Sequence, residues 1–182
     1  KFAETYPDAV PADAAAVFER FYIEALVDAG MPPTALTRER ALAREAAQWV
    51  ADWERHRRAS ARTIVVEAEG KLELSINGRP FTLTAKADRI EPTPDGTAHI
   101  LDYKTGAAPS QKQVDTGFSP QLTLTAAILM NGGFPDLGSP TPGELTYVRV
   151  TGRRPAGEEQ VRALANGESE EAARKAMDGL VK

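Results

Sequence analysis

A change in hydrophobic period near residue 62 constrains the fold of this chain more than any other feature of its sequence. From there to residue 87, apolar residues alternate with polar ones, which is the pattern of strands with one buried face. Asn77-Gly78 separates two alternating runs, and this dipeptide is the strongest short-range signal for a hairpin. A second turn is predicted over 92–96, followed by a strand over 97–104. The sequence therefore predicts an antiparallel meander.

Helical periodicity precedes the meander. Residues 12–29 carry an apolar stripe at helical spacing, and Gly30 followed by Pro32-Pro33 is expected to end that helix. A second helix is predicted to begin after Thr37, acting as N-cap, and to run to about Arg58. Its inward-facing positions are Leu42, Ala46, Trp49, Val50 and Trp53. We interpret the two tryptophans as core anchors and not as platforms for base stacking.

Helix and strand signals alternate after the meander. Ser119-Pro120 is predicted to open a deeply buried helix that ends at Gly132-Gly133. A strand is expected over 144–151, and a last helix is expected from Ser169. The predicted order is α-α-β-β-β-α-β-α. This order is typical of an α/β domain with a mixed central β-sheet, in which an antiparallel meander is flanked by helices.

The second hairpin brings together residues with chemical potential. If it is centred on Asp95, then Asp88 lies opposite Asp102 on one face of the sheet. Lys104 points to the same face, because the side-chain period of a strand is two. The carboxylates suit Mg²⁺ or Mn²⁺, and the lysine can stabilise charge on a phosphate. An ordinary solvated hairpin surface explains the same three residues, so the residues alone leave both interpretations open.

Three segments of the sequence resemble the PD-(D/E)XK nuclease superfamily. They are Ala87-Asp88-Arg89-Ile90, the run Ile100-Leu101-Asp102-Tyr103-Lys104-Thr105-Gly106, and Gln121 at the start of a helix. The sequence is most similar to RecB-like nucleases, especially the carboxy-terminal nuclease domain of AddB-type helicase–nuclease subunits. This resemblance covers nearly the whole chain and implies a restriction-endonuclease-like core.

The resemblance also implies a role for each matching residue. Asp88 and Asp102 would be ligands of Mg²⁺ or Mn²⁺, and the backbone carbonyl of Tyr103 would be a further ligand. Lys104 would be the catalytic lysine. Gln121 would be the catalytic-site glutamine of the family's Gln-x-x-x-Tyr helix motif, which faces the active site and the DNA.

Two positions depart from this pattern or stay open. Thr125 occupies the tyrosine position of the helix motif, which removes one expected DNA contact. Glu67 resembles an acid on the preceding strand of the family, and an exposed strand carboxylate explains it equally well.

Composition limits the other function classes. The 182 residues include no cysteine, which excludes disulfides, zinc ribbons and an iron–sulfur cluster held by cysteines within these residues. His56 is interpreted as part of a solvated helix end and His99 as structural, so the histidine that relatives carry is expected before Lys1.

With 22 basic and 26 acidic residues the formal net charge is −4, so contacts with nucleic acid are expected to be local. A Walker A pattern is absent from the sequence, which excludes ATPase activity from these residues.

The resemblance implies one PD-(D/E)XK nuclease domain over 1–182, and we expect this chain to be a piece cut from a longer protein. Its parts would be a helical region over 1–60, a catalytic core over 61–151 and a carboxy-terminal helical tail over 152–182. The resemblance implies a divalent-metal-dependent DNA exonuclease in a helicase–nuclease that processes double-strand breaks for recombinational repair. The isolated fragment is expected to be weakly active or inactive.

The implied partners are DNA, the helicase portion of the parent chain and a second helicase–nuclease subunit. We expect no membrane contact and a location in the bacterial cytoplasm, associated with the nucleoid. The alternative is a degenerate nuclease fold that serves as a non-catalytic DNA-binding or scaffold module.

Overall fold

The first part of the chain forms a helical layer. The computed structural model describes residues 1–59 and 63–181, and its first elements are α1 (Phe2–Thr5), α2 (Ala14–Asp28) and α3 (Pro33–Arg58). The end of α2 agrees with prediction, since Gly30 follows it with a φ of 82°. The predicted start of α3 at Thr37 was wrong. Pro33 is already the first helical residue, where the fixed φ of proline is favourable and its missing N–H has no partner to lose.

The sheet has five strands, β1 (Val65–Ile76), β2 (Arg79–Pro92), β3 (Thr97–Lys104), β4 (Thr141–Val150) and β5 (Gly157–Ala163), in this spatial order. The pairs β1–β2, β2–β3 and β4–β5 are antiparallel, and β3–β4 is parallel. The predicted fold class, an α/β domain with a mixed sheet and an antiparallel meander, is therefore confirmed.

Local turn chemistry sets the register of the meander. Asn77 and Gly78 both have positive φ, at 52° and 75°, as a two-residue type I′ hairpin requires. In the second hairpin Ile90 pairs with Ile100, which confirms the register predicted from the sequence. Arg62, where the change of period begins, and the predicted boundary between residues 60 and 61 lie outside the described residues.

The main hydrophobic core lies between one face of the sheet and the helices α5 (Gln121–Met130) and α6 (Glu168–Val181). Helix α5 provides the crossover that makes β3 and β4 parallel, and it is apolar on most sides because it is buried on most sides. Its N-cap is Pro120, one residue after the predicted Ser119. A short helix, α4 (Gln111–Asp115), precedes it and begins with a capping box formed by Ser110 and Gln113.

The prediction of a helical tail over 152–182 holds only for its last part. Strand β5 occupies the middle of this region, as the edge strand beside β4. Its sequence, Gly-Glu-Glu-Gln-Val-Arg-Ala, lacks an apolar alternation because polar side chains occupy an edge strand that stays partly solvated. Gly157 opens the strand directly against the ring of Trp49 on α3, which gives this tryptophan the packing role expected of it.

Candidate active site

The candidate site is built on the end of β3, where successive side chains point to opposite faces of the sheet. Asp102 and Lys104 lie on the α5 face, whereas Tyr103 points towards α3. Asp102 is buried, with 3% of its surface exposed. The register that pairs Arg89 with Leu101 places Asp88 one position further along, opposite Asp102.

Lys104 joins two of the other predicted residues. Its ammonium forms an ion pair with Asp102 and donates a hydrogen bond to Oε1 of Gln121 at 3.2 Å. Gln121 is the first residue of α5, so the start of this helix lies directly over the end of β3. The structure therefore brings Asp102, Lys104 and Gln121 together from two separate elements.

Asp88 is fixed by the backbone of the opposite strand. Its Oδ2 accepts a hydrogen bond from the N–H of Tyr103 at 2.8 Å. The pairing of β2 with β3 ends at Arg89–Leu101, and beyond it the carboxylate of Asp88 takes the place of a backbone acceptor. Asp88 therefore contacts the backbone of Tyr103, the residue whose carbonyl was predicted to bind the same metal.

Burial raises the pKa of Asp102 above its ordinary range, and the charge of Asp88 raises it further, while the ion pair with Lys104 opposes both effects. A divalent cation between the acids would relieve the same unfavourable terms. Within 1–59 and 63–181, no group of three or more histidines, cysteines or acids is arranged to hold a metal. Two carboxylates and a backbone carbonyl nevertheless fit Mg²⁺, which usually keeps several waters and contacts substrate phosphates.

Glu67 lies on β1, and the register between β1 and β2 places it opposite Asp88. Its φ is 53°, a value that is uncommon outside glycine, and its Oε2 lies 2.5 Å from Nζ of Lys86. Glu67, Asp88, Tyr103 and Lys104 all line one cavity of about 310 Å³ between the sheet and the helical layer. The structure therefore places Glu67 at the edge of the site with its carboxylate turned to a lysine.

A buried ionic cluster lies behind the site, and the sequence interpretation missed it. We use this name for Glu54, Arg57, Arg58, Arg89 and Glu91. Arg89 is completely buried and contacts Oε1 of Glu54 and Oε1 of Glu91, both at 2.6 Å. Arg58 binds Glu54 at 2.7 Å, and Arg57 binds Glu91 at 3.0 Å. Arg57 and Arg58 are thus parts of the interior, while His56 between Arg55 and Arg57 is exposed as expected.

Tyr103 connects the ionic cluster to the site. Nη1 of Arg89 donates to its hydroxyl at 3.1 Å, and the ring of Trp53 packs edge-on against its ring at 6.2 Å. Burial of the hydroxyl raises the pKa of Tyr103 to about 12. One residue therefore has its side chain held by α3 and β2 while its N–H holds Asp88.

A sequence signal for the ionic cluster does exist. On β2 the site acid Asp88 alternates with Arg89, and Glu91 follows on the same face as Arg89. Both would be exposed if that face were solvated, but they lie under α3, where Glu54 and Arg58 form an i,i+4 pair. Complementary charges on the covered face of a strand and on one side of a helix could have indicated the contact.

Three other side chains complete the description of the site. Tyr147 of β4 pairs with Asp102 in the parallel register and is fully buried, and burial together with the charge of Asp102 raises its pKa to about 12. Thr125 is buried within α5, with 3% exposed. Nδ1 of His99 accepts the N–H of Glu144 at 3.0 Å, which agrees with the structural role predicted for this histidine.

The comparison with protein families identifies the superfamily of this chain. Residues 2–181 match the model of the PD-(D/E)XK nuclease superfamily. The chain belongs to this superfamily. Asp88 lies on β2 and Asp102 and Lys104 lie on β3 within the matched residues, and the match supports a nuclease-type function.

Curated relatives are long proteins whose function is not described. The uncharacterized protein RC0550 of Rickettsia conorii is 40% identical over 78 residues, which are 43% of this chain and 9% of that protein. An uncharacterized protein of Rickettsia bellii is 32% identical over 112 residues, or 54% of this chain and 14% of its own length. This chain thus spans a small part of the curated relatives that it matches.

Among solved structures, the crystal structure of SSO0001 aligns with 98% of this chain and 81% of its own, at 15% identity and a TM-score of 0.41. A similarity this weak supports no conclusion about the fold or function of this chain. None of the helices within the described residues is long and apolar enough to cross a bilayer.

Proposed function

We propose that this chain is a divalent-metal-dependent DNA nuclease domain, acting as an exonuclease in an AddB-type helicase–nuclease that processes double-strand breaks for recombinational repair. The observation that carries the proposal is the convergence of Lys104 on both Asp102 and Gln121, opposite Asp88. A surface hairpin with a compensating lysine would not bury one acid or bring a helix start over the lysine.

The proposal assigns a role to each of these residues. Asp88, Asp102 and the backbone carbonyl of Tyr103 would hold Mg²⁺ or Mn²⁺. The bound cation would neutralise phosphate charge and make water a better nucleophile. The ammonium of Lys104 would stabilise charge that develops on the phosphate, and the side-chain amide of Gln121 would orient both the lysine and the DNA.

The wider assignment is part of the same proposal. We propose that 1–182 forms one nuclease domain, that its partners are DNA, the helicase portion of the parent chain and a second subunit, and that it works in the bacterial cytoplasm. The small share of the Rickettsia relatives that the chain spans is compatible with such a larger protein.

One observation favours a second candidate function. Thr125 replaces the tyrosine of the helix motif and is buried in α5, so it offers no side chain to DNA. A nuclease fold that has lost this contact could serve as a non-catalytic DNA-binding or scaffold module. The burial of Asp102 opposite Asp88 supports the catalytic proposal, because a retired site gains nothing from a buried acid that faces another acid.

A cleavage assay separates the two functions. Labelled single-stranded and double-stranded DNA would be incubated with the protein, and with an upstream-extended version, in Mg²⁺, in Mn²⁺ and in a chelator. We expect metal-dependent cleavage that Asp102→Asn abolishes and that the exposed-acid control Asp178→Asn retains. Binding of DNA without cleavage by either wild-type version would favour the scaffold function instead.

A further inference from the structure

Arg162 of β5 contacts the same aromatic ring as the site residue Lys104. Its guanidinium carbon is 5.6 Å from the ring centroid of Tyr147, and Nζ of Lys104 is 5.5 Å from the same centroid. Tyr147 is itself the register partner of Asp102 on the next strand. The two cations therefore share one aromatic ring on the face of the sheet where the acids lie.

Neighbouring backbone and side-chain groups hold Arg162 in place. Its Nε donates to the carbonyl of Pro109 at 2.8 Å, and its Nη2 donates to the side chain of Gln160. Gln111 donates to the carbonyl of Arg162 at 3.0 Å. Pro109 belongs to the loop that leaves β3 directly after Lys104, so the position of the guanidinium is tied to the end of the site strand.

In the part of the chain that the structure describes, no ion pair neutralises the charge of Arg162. Among the residues that the structure describes, no carboxylate lies within ion-pair distance of it, although its side chain is half-buried. Arg149, which lies on the same face, is paired with Glu158 at 3.0 Å. The carboxylate of Glu158 also accepts a hydrogen bond from Gln160, so this acid is already engaged.

We propose that Arg162 binds a backbone phosphate of the DNA strand, next to the phosphate that Lys104 contacts. The inference rests on the proposed nuclease function and adds a DNA-binding residue to it. A guanidinium presents a planar set of donors that matches phosphate oxygens, and this one is oriented before DNA arrives. Contacts of this kind fix the register of a strand without reading its sequence.

The test compares Arg162→Gln with the control Arg174→Gln, which removes an exposed arginine of α6 paired with Glu170. The dissociation constant of a labelled single-stranded oligonucleotide would be measured by fluorescence anisotropy over a series of salt concentrations, with Ca²⁺ as the cation and intact DNA verified on a gel. Melting temperatures of all variants would show whether each protein is folded.

We expect Arg162→Gln to weaken binding about tenfold at low salt, the scale of one charge-assisted hydrogen bond. The slope of log affinity against log salt should become shallower by about 0.7, the contribution of one phosphate contact on a single strand. Arg162→Lys should restore the slope, because it retains the charge, and Arg174→Gln should leave it unchanged.

An unchanged salt slope in Arg162→Gln, in a wild type that binds and cleaves DNA, would overturn this inference and leave the nuclease proposal intact. A wild type that neither binds nor cleaves DNA would overturn the proposed function, and the role of Arg162 with it. If Arg162→Gln does not fold, Arg162→Met takes its place, because it also removes the charge: a slope shallower by about 0.7 supports the phosphate contact, and an unchanged slope overturns it.

Discussion

Replacing Arg89 by methionine removes the central cation of the ionic cluster. The side chain is completely buried, and its guanidinium contacts two glutamates at 2.6 Å and the hydroxyl of Tyr103 at 3.1 Å. Glu54 and Glu91 are 2% and 0% exposed, so the change takes one of its cationic partners from each of two buried carboxylates that water cannot reach. Breaking a buried pair in this way costs about 3–5 kcal/mol of folding free energy.

The lower end of that range applies here. Each glutamate keeps one arginine, since Arg58 stays with Glu54 at 2.7 Å and Arg57 stays with Glu91 at 3.0 Å. We therefore expect Arg89→Met to lower the free energy of unfolding by about 3 kcal/mol. For a domain of this size that corresponds to a fall in melting temperature of roughly 6–12 °C.

Thermal unfolding followed by circular dichroism measures this effect, with Arg174→Met as the matched control. Arg174 pairs with Glu170 on the exposed side of α6, and such surface pairs contribute about 0.3–0.5 kcal/mol. The control should melt close to wild type. An Arg89→Met protein that melts with the control, or above wild type, would refute the claim that this cluster depends on its central cation.

Three further predictions follow from the site and its packing. In the parent protein, Lys104→Ala should lower turnover by roughly 10²-fold in steady-state cleavage assays, with little change in metal affinity because an ammonium is not a ligand. Burial and the opposed carboxylate raise the pKa of Asp102 in the folded state. The metal-free folded protein therefore binds the Asp102 proton more tightly than the unfolded chain does, and it loses stability as pH rises through the raised pKa. Asp102→Asn should flatten this loss in urea titrations between acidic and neutral pH. Gly157→Ala would place a Cβ 2.3 Å from the ring of Trp49 and should lower the free energy of unfolding by about 1–3 kcal/mol in chemical denaturation. The control Gly179→Ala places its Cβ in open space on α6 and should not lower that free energy.

The parts of the fold that local chemistry determines could be predicted from the sequence. Asn77-Gly78 forms the expected turn because both residues tolerate positive φ, and the second hairpin has the expected register. That register was sufficient to place Asp88 opposite Asp102. The strand period then placed Lys104 on the face of Asp102.

The parts that depend on tertiary partners could not be predicted in the same way. Strand β5 has no apolar alternation, and its pairing with β4 decides its structure. Tyr103 was considered only for its backbone carbonyl, because the role of its side chain depends on Arg89 across the sheet and on Trp53 in α3. Arg162 is likewise close to Lys104 only because β5 returns beside β4.

Titration of Mn²⁺ into the protein by isothermal calorimetry tests the central claim most directly, since the claim is that Asp88 and Asp102 share one divalent cation. The comparison is between wild type, Asp102→Ala and the control Asp178→Ala, which removes an exposed acid of α6. The account predicts one Mn²⁺ site in wild type and in the control, and loss of that site in Asp102→Ala with the fold retained. Equal Mn²⁺ binding by all three proteins would contradict it.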